Sequence, residues 1–84
     1  MNSKHRKTLR AVFANPVPAS LEWRRIEALL LELGAQRFEG RGSRVAFILD
    51  GRRADFHRPH PGNEAKPYQV RDVRAFLLNV GVKP

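Results

Sequence analysis

The chain has 84 residues, enough for one small hydrophobic core and near the lower end of what folds alone. It has no cysteine and no apolar run near the roughly 20 residues that span a bilayer, which argues against disulfide scaffolds, cysteine-based metal sites and transmembrane helices. The formal net charge is +8, and 12 of the 16 basic residues are arginine, whose planar guanidinium pairs well with phosphate. This charge favours nucleic acid as a partner, with an acidic protein or a merely solubilising surface as alternatives.

The N-terminal segment is basic, and no apolar signal core follows it. We therefore predict no secretory leader and expect a cytoplasmic protein. A short helix is predicted over residues 3–14, with Leu9 and Val12 on its apolar side. The Asn15-Pro16 step ends it, because the residue before a proline is disfavoured in the helical conformation.

The second helix is the clearest helical pattern in the sequence. Trp23, Ile26 and Leu30 recur at helical spacing, and Ser20 before them is predicted to be the N-cap. Gly34 is predicted to end the helix, because glycine adopts the left-handed conformation at a helix C terminus without strain. We expect Trp23, on this apolar stripe, to be a core residue and not a surface for stacking bases.

Three strands are predicted after the second helix. They span residues 35–42, 43–50 and 52–58. Asp50 and Gly51 separate the last two, and Asp-Gly between such runs is a strong signal for a two-residue hairpin turn. We therefore expect a tight hairpin whose register is fixed by its turn.

A loop and a closing helix complete the chain. Residues 59–67 contain three prolines and a glycine, so they are predicted to be loop. Residues 69–80 have an apolar face at helical spacing, and Phe76 on that face is expected in the core. The order of helix, three strands and helix, preceded by an extra helix, predicts a two-layer α+β domain with one sheet face left open.

The predicted hairpin places an arginine and a histidine side by side on the open face. With a two-residue turn, Arg44 lies opposite His57, with about 4.5–5.5 Å between Cβ atoms. Histidine can take a proton from a ribose 2′-hydroxyl near neutral pH, and arginine can stabilise charge on the attacked phosphate. Both are therefore candidate catalytic residues for cleaving RNA without a metal. The alternatives are that both are simply solvated, or that Asp55 pairs with an arginine in a salt-bridge patch.

His60 lies three residues after His57, between two prolines. In an extended segment, side chains three residues apart point to opposite faces, which argues against a shared metal ion. No third ligand is evident nearby, although Asp55 and Glu64 stay open as ligands. We predict no metal site and no cofactor.

Several short motifs follow one another in a characteristic order. They are the helix ending at Leu33-Gly34, the Gly40-Arg41-Gly42-Ser43 entry to the second strand, the Asp50-Gly51 turn, the loop from His60 to Pro67, and the closing Asn79-Val80-Gly81-Val82. In this order and spacing they resemble the HicA-type toxins of bacterial toxin–antitoxin pairs. The resemblance runs from about Ser20 to Val82.

This resemblance implies a fold, an activity and two partners. The fold is double-stranded-RNA-binding-domain-like, α-β-β-β-α, in a single domain with its core at residues 20–82 and a helical extension and linker at residues 1–19. The activity is that of an mRNA interferase, an endoribonuclease that acts on mRNA independently of the ribosome. The partners are mRNA and an inhibitory antitoxin of the HicB type.

On this hypothesis, His57 is the candidate acid/base and His60 its substitute. The candidates for binding RNA phosphate are Arg41, Arg44, Arg53 and Lys66. The family's active site resembles Gly-Ser-His, whereas Arg44 follows Gly42-Ser43 in this chain. Either His57 has taken over proton transfer, or the chain is a non-catalytic module that binds RNA or a protein.

Overall fold

The computed structural model describes residues 1–84 and contains three helices and a three-stranded sheet. In chain order the elements are α1 (Ser3–Phe13), α2 (Trp23–Glu32), β1 (Gln36–Glu39), β2 (Arg44–Leu49), β3 (Arg52–His57) and α3 (Pro67–Asn79). The order α-β-β-β-α from α2 to α3 confirms the predicted α+β, double-stranded-RNA-binding-domain-like fold. None of the helices has the length and apolar character needed to cross a bilayer.

The sheet is antiparallel with strand order β1-β2-β3, and the β2–β3 hairpin has the predicted register. Arg44 pairs with His57, as expected. Asp50 (φ 55°) and Gly51 (φ 77°) both adopt positive φ, as in the type I′ turn, whose twist matches that of the flanking strands. Because this turn fixes the strand register, it also fixes which side chains share the open face.

The hydrophobic core lies between the helices and one face of the sheet. Trp23 and Phe76 are 4% and 6% exposed, and each packs edge-on against the ring of Phe56. Both are therefore core residues, as predicted. α1 contributes Leu9 and Val12 to the same buried cluster.

α1 is bonded to the rest of the molecule at its C-terminal end. The Arg74 guanidinium on α3 donates hydrogen bonds to the carbonyls of Val12 (2.9 Å) and Ala14 (2.8 Å). The last carbonyls of a helix lack intrahelical partners and carry partial negative charge, so a cation there satisfies them. α1 packs against α2 as well as α3.

Ser20 does not cap α2, so that prediction is wrong. The N-cap is Glu22, whose side chain makes no capping hydrogen bond. The backbone N–H of Trp23 donates instead to the Asn63 carbonyl (2.8 Å), and Glu22 forms an isolated β-bridge with Glu64. The segment before α2 is therefore held extended against the loop before α3, a long-range pairing that a local capping rule does not detect.

Candidate functional site

The open face of the sheet carries a cluster of charged side chains around a depression of about 490 Å³. Arg44 on β2 lies directly opposite His57 on β3. Four of the six site residues predicted from the sequence line the depression, together with Asp55. We call this group the open-face site: Arg41, Arg44, Arg53, Asp55 and His57.

The other two predicted site residues, His60 and Lys66, do not line that depression. His60 is exposed in the loop after β3, and Lys66 is the N-cap of α3. Lys66 is nevertheless joined to His57 through Gln69, a buried residue of α3. The Gln69 side chain accepts a hydrogen bond from the Lys66 N–H (2.8 Å) and donates one to the His57 carbonyl (2.7 Å). Gln69 therefore holds the end of β3 against the start of α3.

Arg44 and His57 form a close pair because of the hydrogen-bonding pattern of the hairpin. Arg58 donates its backbone N–H to the Ser43 carbonyl (2.8 Å), so the adjacent pair, Arg44 and His57, is a non-hydrogen-bonded pair. Such pairs have Cα atoms about 4.5 Å apart, closer than the hydrogen-bonded pairs on either side. The two side chains therefore share one small region of the open face.

The loop between β1 and β2 sets the position of Arg44. Gly40 donates its N–H to the Arg44 carbonyl (2.9 Å), and Arg44 donates its N–H to the Arg41 carbonyl (3.1 Å). A Cβ added at Gly40 would lie 2.9 Å from the Cβ of Arg44, closer than nonbonded carbons approach. Glycine is therefore required here if β1 is to lie this close to Arg44.

The cations of the open-face site differ in whether they have partners. The Arg53 guanidinium donates to both carboxylate oxygens of Asp55, at 3.2 and 3.0 Å. These hydrogen bonds lower the pKa of Asp55, with a smaller contribution from the charge of Arg44, and they raise the pKa of Arg53. The side chains of Arg41 and Arg44 have no hydrogen-bond or ion-pair partner within the chain. Their guanidinium groups are free to bind a ligand.

The His57 ring lies within hydrogen-bonding range of one side chain, that of Ser43. Its Nδ1 lies 3.5 Å from the Ser43 hydroxyl, at the outer limit of a hydrogen bond. When Nδ1–H donates to that hydroxyl, the lone pair of Nε2 is free to accept a proton. With Arg44 beside it, this arrangement can hold a phosphodiester and deprotonate an attacking hydroxyl. No three His, Cys, Asp or Glu side chains gather anywhere in the molecule as metal ligands would.

A second charged cluster lies on the helix-facing side of the sheet. Glu27 on α2 is 6% exposed and accepts hydrogen bonds from Trp23, Arg37 (3.1 Å) and Arg58 (2.8 and 3.2 Å). Arg58 also donates to both carboxylate oxygens of Glu39, at 2.7 and 3.0 Å. We call this group the internal cluster: Trp23, Glu27, Arg37, Glu39 and Arg58. Every charge in it is paired, so it joins α2 to β1 and to the end of β3 as a structural element.

The pKa values of the internal cluster reflect this pairing. Burial acts to raise the pKa of Glu27, but hydrogen bonds from Arg58, Trp23 and Arg37 outweigh it, and the pKa lies below its ordinary value. Hydrogen bonds from Arg58 also lower the pKa of Glu39. The carboxylates therefore stay ionised well below neutral pH.

Two polar residues that support these sites, Glu27 and Gln69, are not among those predicted from the sequence. Each lies within the apolar stripe of its helix and is buried, at 6% and 4% exposed. Buried polar groups are almost always hydrogen-bonded, so a polar residue in an apolar stripe indicates a partner elsewhere in the fold. That interruption of the stripe is the signal that could have identified both.

Comparison with known proteins identifies a family for most of this region. The profile of the family described as "HicA toxin of bacterial toxin-antitoxin" matches residues 23–80, more than half of the chain. The match extends from the start of α2 to just beyond α3, so it includes the open-face site and the internal cluster and leaves out α1. No curated protein and no solved structure matches the chain.

Proposed function

The chain belongs to the HicA toxin family, and on this basis we propose that it is a toxin that acts in the cytoplasm as an mRNA interferase, an endoribonuclease that needs no metal. The observation that best supports this activity is the pairing of His57 with Arg44 in a basic depression on the open sheet face. A general acid/base and an unpaired cation are the two groups that cleavage beside a ribose 2′-hydroxyl uses.

In the proposed reaction, Nε2 of His57 takes the proton of the ribose 2′-hydroxyl. The 2′-oxygen forms a bond to the adjacent phosphorus, and the bond from phosphorus to the 5′-oxygen of the next nucleotide breaks. The protonated His57 or a water molecule then gives a proton to the departing 5′-oxygen. The products are a 2′,3′-cyclic phosphate and a 5′-hydroxyl.

The arginines of the open-face site have distinct roles in this reaction. Arg44 stabilises the negative charge that develops on the nonbridging phosphate oxygens, and no carboxylate has to be displaced from it first. Arg41 and Arg53 line the same depression and bind neighbouring phosphates. Lys66 adds a cation at the start of α3, and His60 in the exposed loop is the substitute acid/base.

The proposed protein partner is a HicB-like antitoxin. Membership of a toxin–antitoxin family implies an antitoxin in general. A net charge of +8 and three arginines around one depression favour a partner that is acidic where it covers the open-face site. We assign the toxin core to residues 20–82 of a single domain, with residues 1–19 as an extension bonded through Arg74.

The second candidate is a non-catalytic module, and the residue after Ser43 favours it. Arg44 stands where the family's active site resembles Gly-Ser-His, and the side chain of His57 has only the 3.5 Å contact with Ser43. A non-catalytic RNA-binding module binds RNA with strong salt dependence and leaves it intact. A protein-interaction module instead binds an acidic partner in a 1:1 complex and RNA only weakly at physiological salt.

Induction of the chain in a bacterium, in parallel with His57→Ala and His60→Ala, tests the nuclease. We expect the wild type to arrest growth and cleave a reporter mRNA, leaving 2′,3′-cyclic phosphate ends. His57→Ala should slow cleavage about 10²–10⁴-fold, the usual contribution of a general acid/base. His60→Ala should keep most of the activity, and circular dichroism checks that both variants fold.

Two other outcomes would contradict the assignment of His57 as the acid/base. Cleavage that persists in His57→Ala and disappears in His60→Ala would place the chemistry in the loop after β3. An intact reporter mRNA with a folded wild-type protein would exclude the nuclease. Binding of RNA by that protein would then support the non-catalytic module.

A further inference from the structure

Phe38 is an aromatic side chain exposed on the same sheet face as the candidate site. It lies on β1 and is 46% exposed, whereas the other aromatic rings of the sheet, Phe47 and Phe56, are buried. The close aromatic pairs of the molecule all lie in the core, and none includes Phe38. Covering an exposed phenyl ring is favourable, so a ligand that binds this face gains affinity at Phe38.

Small neighbours keep the Phe38 ring accessible. Ala46 lies opposite it on β2, and Gly40 follows two residues further along the chain. Neither is large enough to cover a phenyl ring, and no strand pairs with the outer edge of β1. Phe38 also lines the same depression as His57, so a ligand that fills the depression meets the ring.

The ring lies close to the cation that we assign to the reacting phosphate. Arg44 is two residues from Ala46, the partner of Phe38, so Phe38 and Arg44 are diagonal neighbours across β1 and β2. Diagonal neighbours are about 7–8 Å apart, within reach of aromatic and long side chains. That separation is comparable with the distance between the phosphate of a nucleotide and its base.

We propose that Phe38 is a base-stacking platform, on which one nucleobase of a single-stranded RNA lies while Arg44 and His57 engage the adjacent phosphate and ribose. This inference rests on the proposed function, because it takes RNA as the ligand. Stacking accepts any base, since every base has a π-face, and it requires a base that is free of a duplex. The substrate class is therefore unpaired RNA with little base preference at this position.

A nucleobase fits this ring better than a protein partner does. The core of a protein interface is depleted in charge and contains several apolar side chains, whereas Phe38 shares its depression with Arg41, Arg44 and Arg53. The other exposed large apolar side chains lie outside the sheet: Met1, Leu31, Tyr68 and Leu78. An aromatic ring in a positively charged depression is the combination by which proteins bind single-stranded nucleic acid.

The test measures binding of a single-stranded 2′-fluoro oligoribonucleotide, which lacks the attacking hydroxyl, to the full chain and its variants. Phe38→Tyr keeps the stacking ring, and Phe38→Leu keeps apolar volume without a π-face. Leu78→Ala is the matched control, because it removes an apolar side chain of similar exposure (50%) on α3. We expect Phe38→Leu and Phe38→Ala to weaken binding about 5- to 100-fold, and Phe38→Tyr and Leu78→Ala to bind like the wild type.

A 2-aminopurine in the oligonucleotide reports stacking directly, and its fluorescence should be quenched by the wild type and by Phe38→Tyr only. The salt dependence of binding should be the same in Phe38→Leu and the wild type, because no phosphate contact is lost. Equal affinity of the Leu and Tyr variants, or wild-type affinity of Phe38→Ala, would overturn the platform and leave the proposed function standing. Failure of the wild type to bind the oligonucleotide would overturn both.

Discussion

The internal cluster and the open-face site both combine arginines with carboxylates, on two sides of one sheet, and they differ in how these charges are matched. In the internal cluster two arginines meet two glutamates, and every carboxylate oxygen of Glu27 and Glu39 accepts a hydrogen bond. In the open-face site three arginines share one carboxylate, that of Asp55, which bonds to Arg53 alone. The excess positive charge of the sheet therefore lies where a ligand can reach it.

One step along a strand separates a residue of the internal cluster from a residue that lines the open-face depression. Arg37 belongs to the internal cluster, and its neighbour Phe38 lies on the open face. His57 lines the depression, and its neighbour Arg58 bonds to Glu27. Because side chains alternate between the faces of a sheet, the strand register determines which of these side chains lie on each face.

Glu27→Gln is expected to have the largest effect, because it removes the charge pairing that distinguishes the internal cluster from the open-face site. The substitution removes the buried negative charge to which Arg37 and Arg58 donate, so both cations lose a partner. Because those arginines are partly exposed and water compensates them in part, we expect a loss of about 2–3 kcal/mol in the free energy of unfolding, measured by urea denaturation.

Glu32→Gln on the same helix is the matched control for Glu27→Gln. Its side chain is 46% exposed, and we expect a change within about 0.5 kcal/mol. Similar losses in the two variants would mean that the internal cluster contributes no more to stability than an exposed glutamate does.

The second prediction concerns the pH dependence of stability. Its effect is smaller, because lowering the pH protonates Glu27 gradually and so removes its ion pairs with Arg37 and Arg58 only in part. The pKa of Glu27 is lowered in the folded protein, so its stabilising contribution is fully present above the unfolded value near 4.5. The contribution is lost as the pH falls through the folded pKa. We therefore expect the difference in unfolding free energy between the wild type and Glu27→Gln to be constant near neutral pH and to narrow below about pH 4.5. A difference that stays constant down to pH 3 would contradict the charge pairing.

The strand register of the sheet could be predicted from the sequence, whereas the contacts that fix the start of α2 could not. The register depends on residues adjacent in sequence, and those contacts join residues far apart in sequence. Asp50-Gly51 specifies a turn from two adjacent residues, so the whole β2–β3 register follows from it, including the pairing of Arg44 with His57. Gly34, with φ 102°, ends α2 for an equally local reason. The N-cap predicted at Ser20 failed because the start of α2 is set by backbone pairing with a loop about 40 residues away in sequence.

The residues of the candidate site likewise fall into those that the sequence could predict and those that it could not. The residues that face each other across the hairpin could be predicted, because the register alone determines them. The position of Gln69 in an apolar stripe signals a buried hydrogen-bond partner, but that this partner is the His57 carbonyl could not be predicted, because it depends on how α3 packs against the sheet. The exposure of Phe38 likewise depends on which face of the sheet the helices cover, although the sequence predicts its strand.

The smallest effect is expected from Asp55→Asn, which removes the only carboxylate of the open-face site and so makes its charges still less matched than those of the internal cluster. Asp55→Asn should leave the unfolding midpoint unchanged, because Asp55 and Arg53 are exposed and their ion pair is screened by solvent. The same change frees the Arg53 guanidinium for a phosphate. For the 2′-fluoro oligoribonucleotide we expect affinity to rise roughly three- to fivefold near 0.15 M salt, and the logarithmic salt slope to steepen by about 0.7, the value for one added phosphate contact on a single strand.

Asp50→Asn separates this local effect from net charge, because it removes the same charge at the tip of the hairpin. Asparagine tolerates the positive φ of residue 50, so the turn and the strand register are kept. If the open-face site binds RNA through Arg53, affinity rises in Asp55→Asn well beyond any rise in Asp50→Asn. Equal gains in affinity in the two variants would mean that RNA binding depends on the total charge of the chain. That result would contradict binding of RNA at the open face.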